Sequence, residues 1–315
     1  MFATLIPDRA RQNRLRVCVF FLLTLLILPS GPSLAGSSSV NTPLPLHIEI
    51  PGNVPVGEPF PVQVKSRVKL DSVQLTWLGK TISLPLEKKH NEYISSVLLG
   101  TDVKKQEPGE KAIAIRVSKS GSESTKIVYI DIKSKSFPVQ RLQLPPSQVG
   151  LSDSELERYK TEKKSINKAL DSYSSKRFWD CPFLSPVPGE ITSIYGVKRF
   201  LNDKPRSPHR GLDFSAKYRR PVQATNTGKV VLTGKHLFAG NSVYIHHGQG
   251  VVSMYFHLSK IEVKQGQKVQ KGQTIGLCGK TGRSTASHVH FGLGILGELV
   301  NPQSMLESEC FRQIE

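Results

Sequence analysis

Short runs in which apolar and polar residues alternate fill residues 44–135, and this pattern restricts the region to β structure. Residues two apart share one face of a strand, so each apolar row predicts a strand that buries one face. The four clearest rows are Phe60, Val62 and Val64; Val73, Leu75 and Trp77; Ile113, Ile115 and Val117; and Val128, Ile130 and Ile132. About seven short strands in this length predict an immunoglobulin-like β-sandwich, although the cysteine and tryptophan signature of antibody domains is missing.

The first 35 residues have the pattern of a secretory signal peptide. Arginines among residues 9–16 precede an apolar run at 17–28, which is too short for an ordinary membrane span. Ser33 and Ala35 stand three and one residues before a cut at Gly36. We therefore expect an exported protein, in the periplasm, the cell-wall space or the medium. The alternative is an uncleaved segment that anchors the chain at a membrane.

The chain is strongly basic, with a formal net charge of +18. Removal of residues 1–35 takes away four arginines and one aspartate, a net +3, and leaves 18 − 3 = +15. Such a charge favours polyanions, which outside the cytoplasm are cell-wall polymers, lipid headgroups or stray nucleic acid. An anionic cell-wall polymer is a plausible partner, and a nucleic-acid partner is not expected. The alternative is a scattered solubilising surface, because lysine and arginine are spread along the whole chain.

The cysteines exclude one kind of metal site. After signal cleavage Cys181, Cys278 and Cys310 remain, and none of them forms a C-x-x-C pair, which disfavours a cysteine-ligated zinc. Export permits a disulfide, and one between Cys181 and Cys310 would tie the two ends of the C-terminal region together. Cys278 lies in an apolar run and is expected to be a small buried side chain.

Two connecting segments flank these regions. Residues 36–43 are rich in serine, glycine, proline and asparagine and are predicted to be disordered. In the linker at 136–180, residues 152–155 match a capping box, and apolar residues follow at helical spacing. We expect a helix over roughly 153–174. It would be a plain connector, or alternatively a lid or an interdomain strut.

Glycine and histidine are concentrated in residues 181–315, which hold sixteen of the 25 glycines and seven of the nine histidines. This density indicates many tight turns between short strands, and it places function in this region. Residues 243–245 and 251–256 flank a glycine-containing turn and predict a hairpin. We expect an antiparallel C-terminal sheet.

Four histidines and one aspartate are candidates for site chemistry. His288 and His290 share one face of a predicted strand, which suits one metal ligand and one neighbouring base, in either order. His209 and Asp213 are four apart and would share a strand face, where an imidazole and a carboxylate are good zinc ligands. His257 ends an apolar strand near a sheet edge. Each motif taken singly also fits a hydrogen-bonded surface histidine. The remaining histidines are interpreted as structural: His47, His90, His236, His246 and His247.

An ordered set of motifs gives these residues a shared context. The set is Pro188-Gly189, Ile191-Thr192-Ser193, Tyr195-Gly196, His209 to Asp213, Pro221 to Ala224, Gly240 to Val243, Tyr255 to Leu258, Gly272-Gln273, Thr281 to Thr285, Ser287 to Phe291 and Asn301-Pro302. Together they resemble the lysostaphin-type, LytM-like zinc metallopeptidases, over about residues 187–302. The resemblance implies the duplicated-hybrid-motif fold and hydrolysis of peptides in peptidoglycan.

The resemblance also implies roles for the five candidates. His209, Asp213 and His290 would hold one Zn²⁺ per chain, His288 would be the general base, and His257 would stabilise the oxyanion or share the base role. The predicted function is a zinc metalloendopeptidase that cuts stem peptides or cross-bridges of peptidoglycan. Alternatives are an inactive wall-binding or amidase-activating scaffold and a protease of extracellular proteins. Departures such as Lys198, His246 and Ala286 concern the substrate groove and hence the bond preference.

Overall fold

The computed structural model describes residues 46–143 and 150–307, and within them the chain is mainly β. The predicted signal peptide at 1–35 and the start at 36–43 lie outside these residues. The N-terminal region contains β1 (Leu46–Glu49), β2 (Asn53–Pro55), β3 (Phe60–Ser66), β4 (Ser72–Trp77), β5 (Lys80–Ser83), β6 (Glu87–Lys89), β7 (Glu92–Leu99), β8 (Gly109–Lys119) and β9 (Ser122–Lys133).

The N-terminal strands form two sheets, in the orders β1-β3-β7-β6 and β2-β9-β8-β4-β5. The predicted apolar rows turn inward, and all their members are buried except Val128, which is partly buried. The prediction of about seven strands was too low, because short edge strands such as β2 and β6 carry little alternation. The strand β2 pairs with β9 in parallel. The immunoglobulin-like topology stays a prediction.

Among its described residues, 136–143 and 150–180, the linker holds the strand β10 (Val139–Leu142) and the helix α1 (Asp153–Leu170). The capping box is present: the Ser152 side chain accepts from the Glu155 backbone, and the Glu155 side chain accepts from the Ser152 backbone. The predicted helix was four residues too long, because the chain leaves the helix at Asp171. Among the described helices, none has the length and apolarity needed to cross a membrane.

The C-terminal region is a long antiparallel sheet with smaller companions. Its strands are β11 (Ile191–Ser193), β12 (Lys198–Leu201), β13 (Lys204–Pro205), β14 (Leu212–Ser215), β15 (Pro221–Gln223), β16 (Gly228–His236), β17 (Gly240–His246), β18 (Val251–Leu258), β19 (Lys260–Ile261), β20 (Lys268–Val269), β21 (Thr274–Leu277), β22 (His288–Ile295) and β23 (Glu298–Val300), and the short helix α2 (Gln303–Leu306) follows. The main sheet has the order β11-β14-β22-β18-β17-β16-β20, with β23 beside β22.

The predicted hairpin is formed by β17 and β18, which pair in an antiparallel register. One pairing differs from the expected antiparallel pattern. The linker strand β10 lies parallel to β12, which joins the linker to the C-terminal region. A further three-stranded sheet has the order β15-β21-β19.

One apolar cluster contains side chains from both regions. Trp77 of the sandwich belongs to the same buried cluster as Leu293 and Ile295 of β22. The contact is close at Gly100, where an added Cβ would lie 2.4 Å from Cγ1 of Val300. The two regions therefore share part of their core, while the predicted domain boundaries stay a prediction.

Two cysteines, Cys181 and Cys278, lie within the described residues. Cys278 is fully buried and carries a free thiol, as its apolar setting predicts. Cys181 is disulfide-bonded, and Cys310, its predicted partner, lies outside the described residues.

Candidate active site

Two strand pairings bring the candidate residues together. In the register of β14 with β22, Asp213 lies opposite His290, and in that of β18 with β22, Phe256 lies opposite His290. The side chains of His288 and His290 both point toward Asp213, as the alternation predicts. Between them Val289 is fully buried on the other face. The strand β22 thus presents a histidine face and packs an apolar face.

The predicted placement of His209 on a strand was wrong. His209 precedes β14, and its backbone is fixed by hydrogen bonds between its N–H and the Val197 carbonyl and between its carbonyl and the Gly196 N–H. Its side chain nevertheless meets that of Asp213. The chain can pass this close to β22 because residue 211 is glycine: an added Cβ would lie 2.6 Å from the His290 ring.

Three side chains form a compact set of metal-ligating atoms. His209 Nε2 lies 3.0 Å from Asp213 Oδ1, and His290 Nδ1 lies 2.8 Å from the same oxygen. The two nitrogens are 3.0 Å apart. Ligands of a tetrahedral zinc at bonds of about 2.0–2.1 Å would be roughly 3.3 Å apart, so this set fits a zinc ion with small adjustments. Within residues 46–143 and 150–307 no other such set is found.

The contacts that orient the rings of His209 and His290 also suit a metal site. His209 Nδ1 lies 2.8 Å from the Ile194 carbonyl, which can only accept, so Nδ1 carries the proton and Nε2 keeps its lone pair. The ring of His290 stacks on Phe256 at 5.0 Å and 12°. These contacts orient each imidazole with a ligating nitrogen toward Asp213.

His288 and His257 stand beside this set with the same tautomer. The Nδ1 of His288 donates to the Ala286 carbonyl at 2.9 Å, and the Nδ1 of His257 donates to the Thr281 carbonyl at 2.8 Å. The Nε2 of His288 lies 3.9 Å from Asp213 Oδ1, and the His257 and His288 rings are 4.7 Å apart. Both rings therefore offer an unprotonated Nε2 when neutral, which suits a proton acceptor.

The electrostatics favour neutral imidazoles around a charged carboxylate. Burial lowers the pKa of His290 to about 4, and burial also lowers the pKa of His257. For Asp213, burial raises the pKa, but hydrogen bonds with His209 and His290 outweigh it and hold the pKa well below its usual range. Neutral imidazole and ionised carboxylate are the protonation states that bind metal.

The histidines interpreted as structural lie apart from this set. His247 is fully buried and bonds to the Thr227 carbonyl and the Ser253 hydroxyl. His236 is the last residue of β16 and bonds to Ser242. His246 is buried in β17, while His47 and His90 are exposed in the sandwich.

Several residues near the site were missed at the sequence level. Ile194 and Thr281 act through backbone carbonyls, which leave no side-chain signal, although both fall in or next to the motifs quoted above. Phe256 was read only as part of an apolar strand. Arg199 lies 3.6 Å from Asp213 Oδ2, and nothing in its local sequence marks that contact.

Comparison with known proteins identifies one domain of the chain. The pattern of peptidase family M23 matches residues 207–302, a segment that contains all five site residues. Residues 207–302 are a peptidase family M23 domain. The motif resemblance noted in the sequence is thereby confirmed.

Some proteins that are similar to this domain have names that describe an activity. The chain is 50% identical over 138 residues to the peptidoglycan DD-endopeptidase ShyA of Vibrio cholerae serotype O1, covering 44% of this chain and 30% of the relative. It is 41% identical over 97 residues to the DD-carboxypeptidase/endopeptidase Mpg of Neisseria meningitidis serogroup B, covering 31% of this chain and 22% of the relative. The match thus spans under a third of either relative.

One solved structure resembles more of the chain. A structure described as a peptidase M23 from Pseudomonas aeruginosa aligns with a TM-score of 0.58 at 24% identity, covering 85% of this chain and 96% of that one. At this identity the likeness concerns the fold. It extends beyond the M23 domain, so the mainly β architecture of the longer chain is also found elsewhere.

Proposed function

We propose that this M23 protein is an exported zinc-dependent endopeptidase that hydrolyses peptide bonds in peptidoglycan. The observation that carries the proposal is the His209, Asp213 and His290 set, with the unprotonated nitrogens of His288 and His257 beside it. One Zn²⁺ per chain, held by the three residues of that set, would polarise the scissile carbonyl and make an attacking water more acidic.

His288 and His257, beside the three proposed ligands, would transfer the proton of the attacking water. His288 accepts a proton at Nε2 from the attacking water and delivers it to the leaving nitrogen as the C–N bond breaks. The water oxygen ends in the new carboxylate, so one water is consumed for each bond cut. A neutral His257 whose Nδ1–H is donated to Thr281 has no Nε2–H for an oxyanion. The geometry therefore favours a share in the base role for His257.

Peptidoglycan is the substrate class best supported by the domain and by the names of its relatives. Two relatives are named DD-endopeptidases or DD-carboxypeptidases, and bonds between D-residues are accordingly the bonds we propose for this chain. The signal-peptide pattern supports export to the compartment that contains the wall. The basic charge would favour an anionic wall polymer as well.

The test is muropeptide release from purified sacculi by the full chain, with and without a chelator. We expect soluble products with hydrolysed cross-links, identified by mass, that vanish with the chelator and return with zinc. His288→Ala is the control and should release none. Bound zinc without cleavage would favour a wall-binding or amidase-activating scaffold. Equal cleavage of casein and sacculi would favour a general extracellular protease.

A further inference from the structure

A positively charged side chain lies beside the ligand set, and the proposed hydrolysis does not use it. Arg199 of β12 places Nη2 3.6 Å from Asp213 Oδ2. The two histidine ligands do not bond to this oxygen, because His209 and His290 both approach Oδ1. The guanidinium therefore borders the site on the side of Asp213 that is turned away from those ligands.

Arg199 has hydrogen-bonding capacity to spare. A separation of 3.6 Å is too long for a direct hydrogen bond to Asp213. Its Nε is buried and finds no hydrogen-bond partner among the described residues, while 34% of the side chain remains exposed. A guanidinium carries five donors in a planar fork that matches a carboxylate. The exposed part of the side chain can thus donate hydrogen bonds to a ligand from solvent.

The backbone under Arg199 is fixed by its neighbours. It lies opposite Gln140 in the parallel pairing of β10 with β12, and its carbonyl accepts from the Arg206 N–H at 2.8 Å. Two other arginines near the site residues are already engaged. Arg210 bonds to Asp102 at 3.0 Å, and Arg283 lies over the Phe238 ring. Of these three arginines, Arg199 is the one that contacts Asp213 of the ligand set.

The distances define which carboxylate Arg199 could reach. The two oxygens of a carboxylate are about 2.2 Å apart, so Nη2 lies within roughly 6 Å of Asp213 Oδ1 at the ligand set. In a peptide, the α-carboxyl carbon on the amine side lies about 2.5 Å from the scissile nitrogen. On the carbonyl side the α-carboxyl group is the scissile group itself. A free carboxylate next to the reacting bond is therefore on the amine side.

We propose that Arg199 binds a free carboxylate on the residue that supplies the leaving amine, and that it selects peptides with this group. The inference rests on the proposed function and names its substrate class. One suitable class of peptide has a single C-terminal D-residue after the scissile bond. The other class has a cross-linked diamino acid after that bond, and the carbon that carries the cross-linked nitrogen also carries a free carboxylate. The bidentate guanidinium would hold this residue while its amide bond is cut.

The first test compares two forms of one substrate. It uses the smallest muropeptide that the wild type cleaves, with the carboxylate beside the scissile nitrogen either free or converted to a carboxamide. We expect amidation to lower the wild-type kcat/KM by about 10- to 100-fold, since a charge-assisted hydrogen bond is lost. Arg199→Gln should cleave both forms at the rate of the amidated one, and Arg199→Lys should keep part of the preference.

A matched control separates selection from structural damage. Arg206→Gln changes an exposed arginine on the neighbouring strand end and should keep the full preference. Zinc content, measured by elemental analysis, should be the same in all variants. Equal cleavage of both forms by the wild type would overturn the proposal. An Arg199→Gln variant that slows both forms equally and keeps the preference would overturn it as well.

Binding gives a result that does not depend on cleavage. Calorimetry with acetyl-D-alanyl-D-alanine and its C-terminal carboxamide should show tighter binding of the free acid to the zinc-loaded wild type. The difference should disappear in Arg199→Gln. If no muropeptide is cleaved, the proposed endopeptidase function fails, and this comparison alone decides the role of Arg199. Equal affinities of the wild type for the acid and the amide would contradict the proposed role of Arg199.

Discussion

The partner of the second ring nitrogen determines what each site histidine can do. The Nδ1 of His209 donates to a backbone carbonyl, as do those of His257 and His288, so the Nε2 atoms are left as acceptors. His290 is different, because its Nδ1 is the atom nearest Asp213. The proposed ligands and the proposed base differ in distance: the facing nitrogens of His209 and His290 lie 3.0 Å and 2.8 Å from Asp213 Oδ1, and that of His288 lies 3.9 Å from the same oxygen.

Metal content should separate the two histidines of β22. His290→Ala and His209→Ala each remove a ligating nitrogen and should lose zinc and activity together. His288→Ala should keep most of the zinc and lose activity by about 10²- to 10⁴-fold, the usual contribution of a general base. Elemental analysis and sacculus digestion measure the two effects. A His288→Ala variant without zinc, beside a zinc-loaded His290→Ala variant, would reverse the roles.

A buried histidine away from the site should set part of the pH dependence of stability. Burial lowers the pKa of His247 to about 4 from an ordinary 6.5, so the unfolded chain binds the proton more readily. The stability present above pH 6.5 is lost as the pH falls toward 4, with about 2 kcal/mol gone at pH 5. Urea unfolding between pH 7.5 and 5, with a chelator to exclude zinc linkage, measures it.

The control variants for this prediction differ only in position. His247→Gln removes the titrating group and should flatten the loss of stability on acidification by about 2 kcal/mol. The matched control is His47→Gln, the same substitution at an exposed position of β1. A wild-type and a His247→Gln curve of equal slope would show that the proton uptake occurs elsewhere.

At the residue scale the alternation rule predicted the shared face of His288 and His290 correctly. It could not distinguish their roles, because these depend on the distance of each ring from Asp213, which the pairing of β14 with β22 determines. The rule was wrong for His209, whose segment turns beside the His290 ring at Gly211. A spacing of four residues is compatible with a strand or with such a turn. The close approach of Gly211 to the His290 ring distinguishes the two, and the local sequence does not show it.

At the scale of elements, the helix α1 supports the turn between β16 and β17. Glu162 accepts a hydrogen bond from the Leu237 N–H at 2.8 Å, and Tyr159 contacts the Phe238 ring edge-on at 5.1 Å. The same turn accepts the His257 N–H at the Ala239 carbonyl. A helix in the linker is therefore connected to the backbone of a site histidine through one turn.

Hydrogen exchange should report this support. Glu162→Ala removes the acceptor of the Leu237 N–H, so this amide should exchange about 5- to 10-fold faster, consistent with the loss of one hydrogen bond. Mass spectrometry of peptides that cover residues 235–240 measures the rate. The matched control is Glu157→Ala, which breaks an exposed pair with Lys160 on the same helix. Unchanged exchange in Glu162→Ala would assign the support of the turn to the Tyr159 contact instead.

The elements differ in how far the sequence predicts them. The start of α1 follows from its capping box, which is local, whereas its end does not, because Tyr173 keeps the helical spacing but bonds instead to the Ser83 carbonyl. The strand β10 has four residues and no clear alternation, and it exists through its pairing with β12. Local chemistry thus predicts elements that carry their own signals, and partners in space determine the others.

At the scale of the whole molecule, the sandwich contacts the segment that carries His209, a proposed metal ligand. Asp102, fully buried at the end of the sandwich, pairs with Arg210, the residue after His209. The Tyr195 hydroxyl donates to the Leu299 carbonyl and accepts from the Val103 N–H. These contacts join residues about a hundred positions apart, for which a single sequence carries no periodic signal. The N-terminal region therefore helps to fix the backbone around the site.

The shared core predicts that the two regions unfold together. Trp77 lies in the sandwich and Trp179 lies near the C-terminal region, and both belong to one buried cluster with Leu293 and Ile295. These are the two tryptophans of the chain, so Trp179→Phe and Trp77→Phe each leave one fluorescent reporter. Unfolding either region alone would expose the apolar side chains of the other, at a cost of about 25 cal/mol per Å². We therefore expect the urea midpoint from fluorescence to coincide with that from circular dichroism in both variants. Separate midpoints in either variant would mean that the sandwich and the M23 domain are independent folding units.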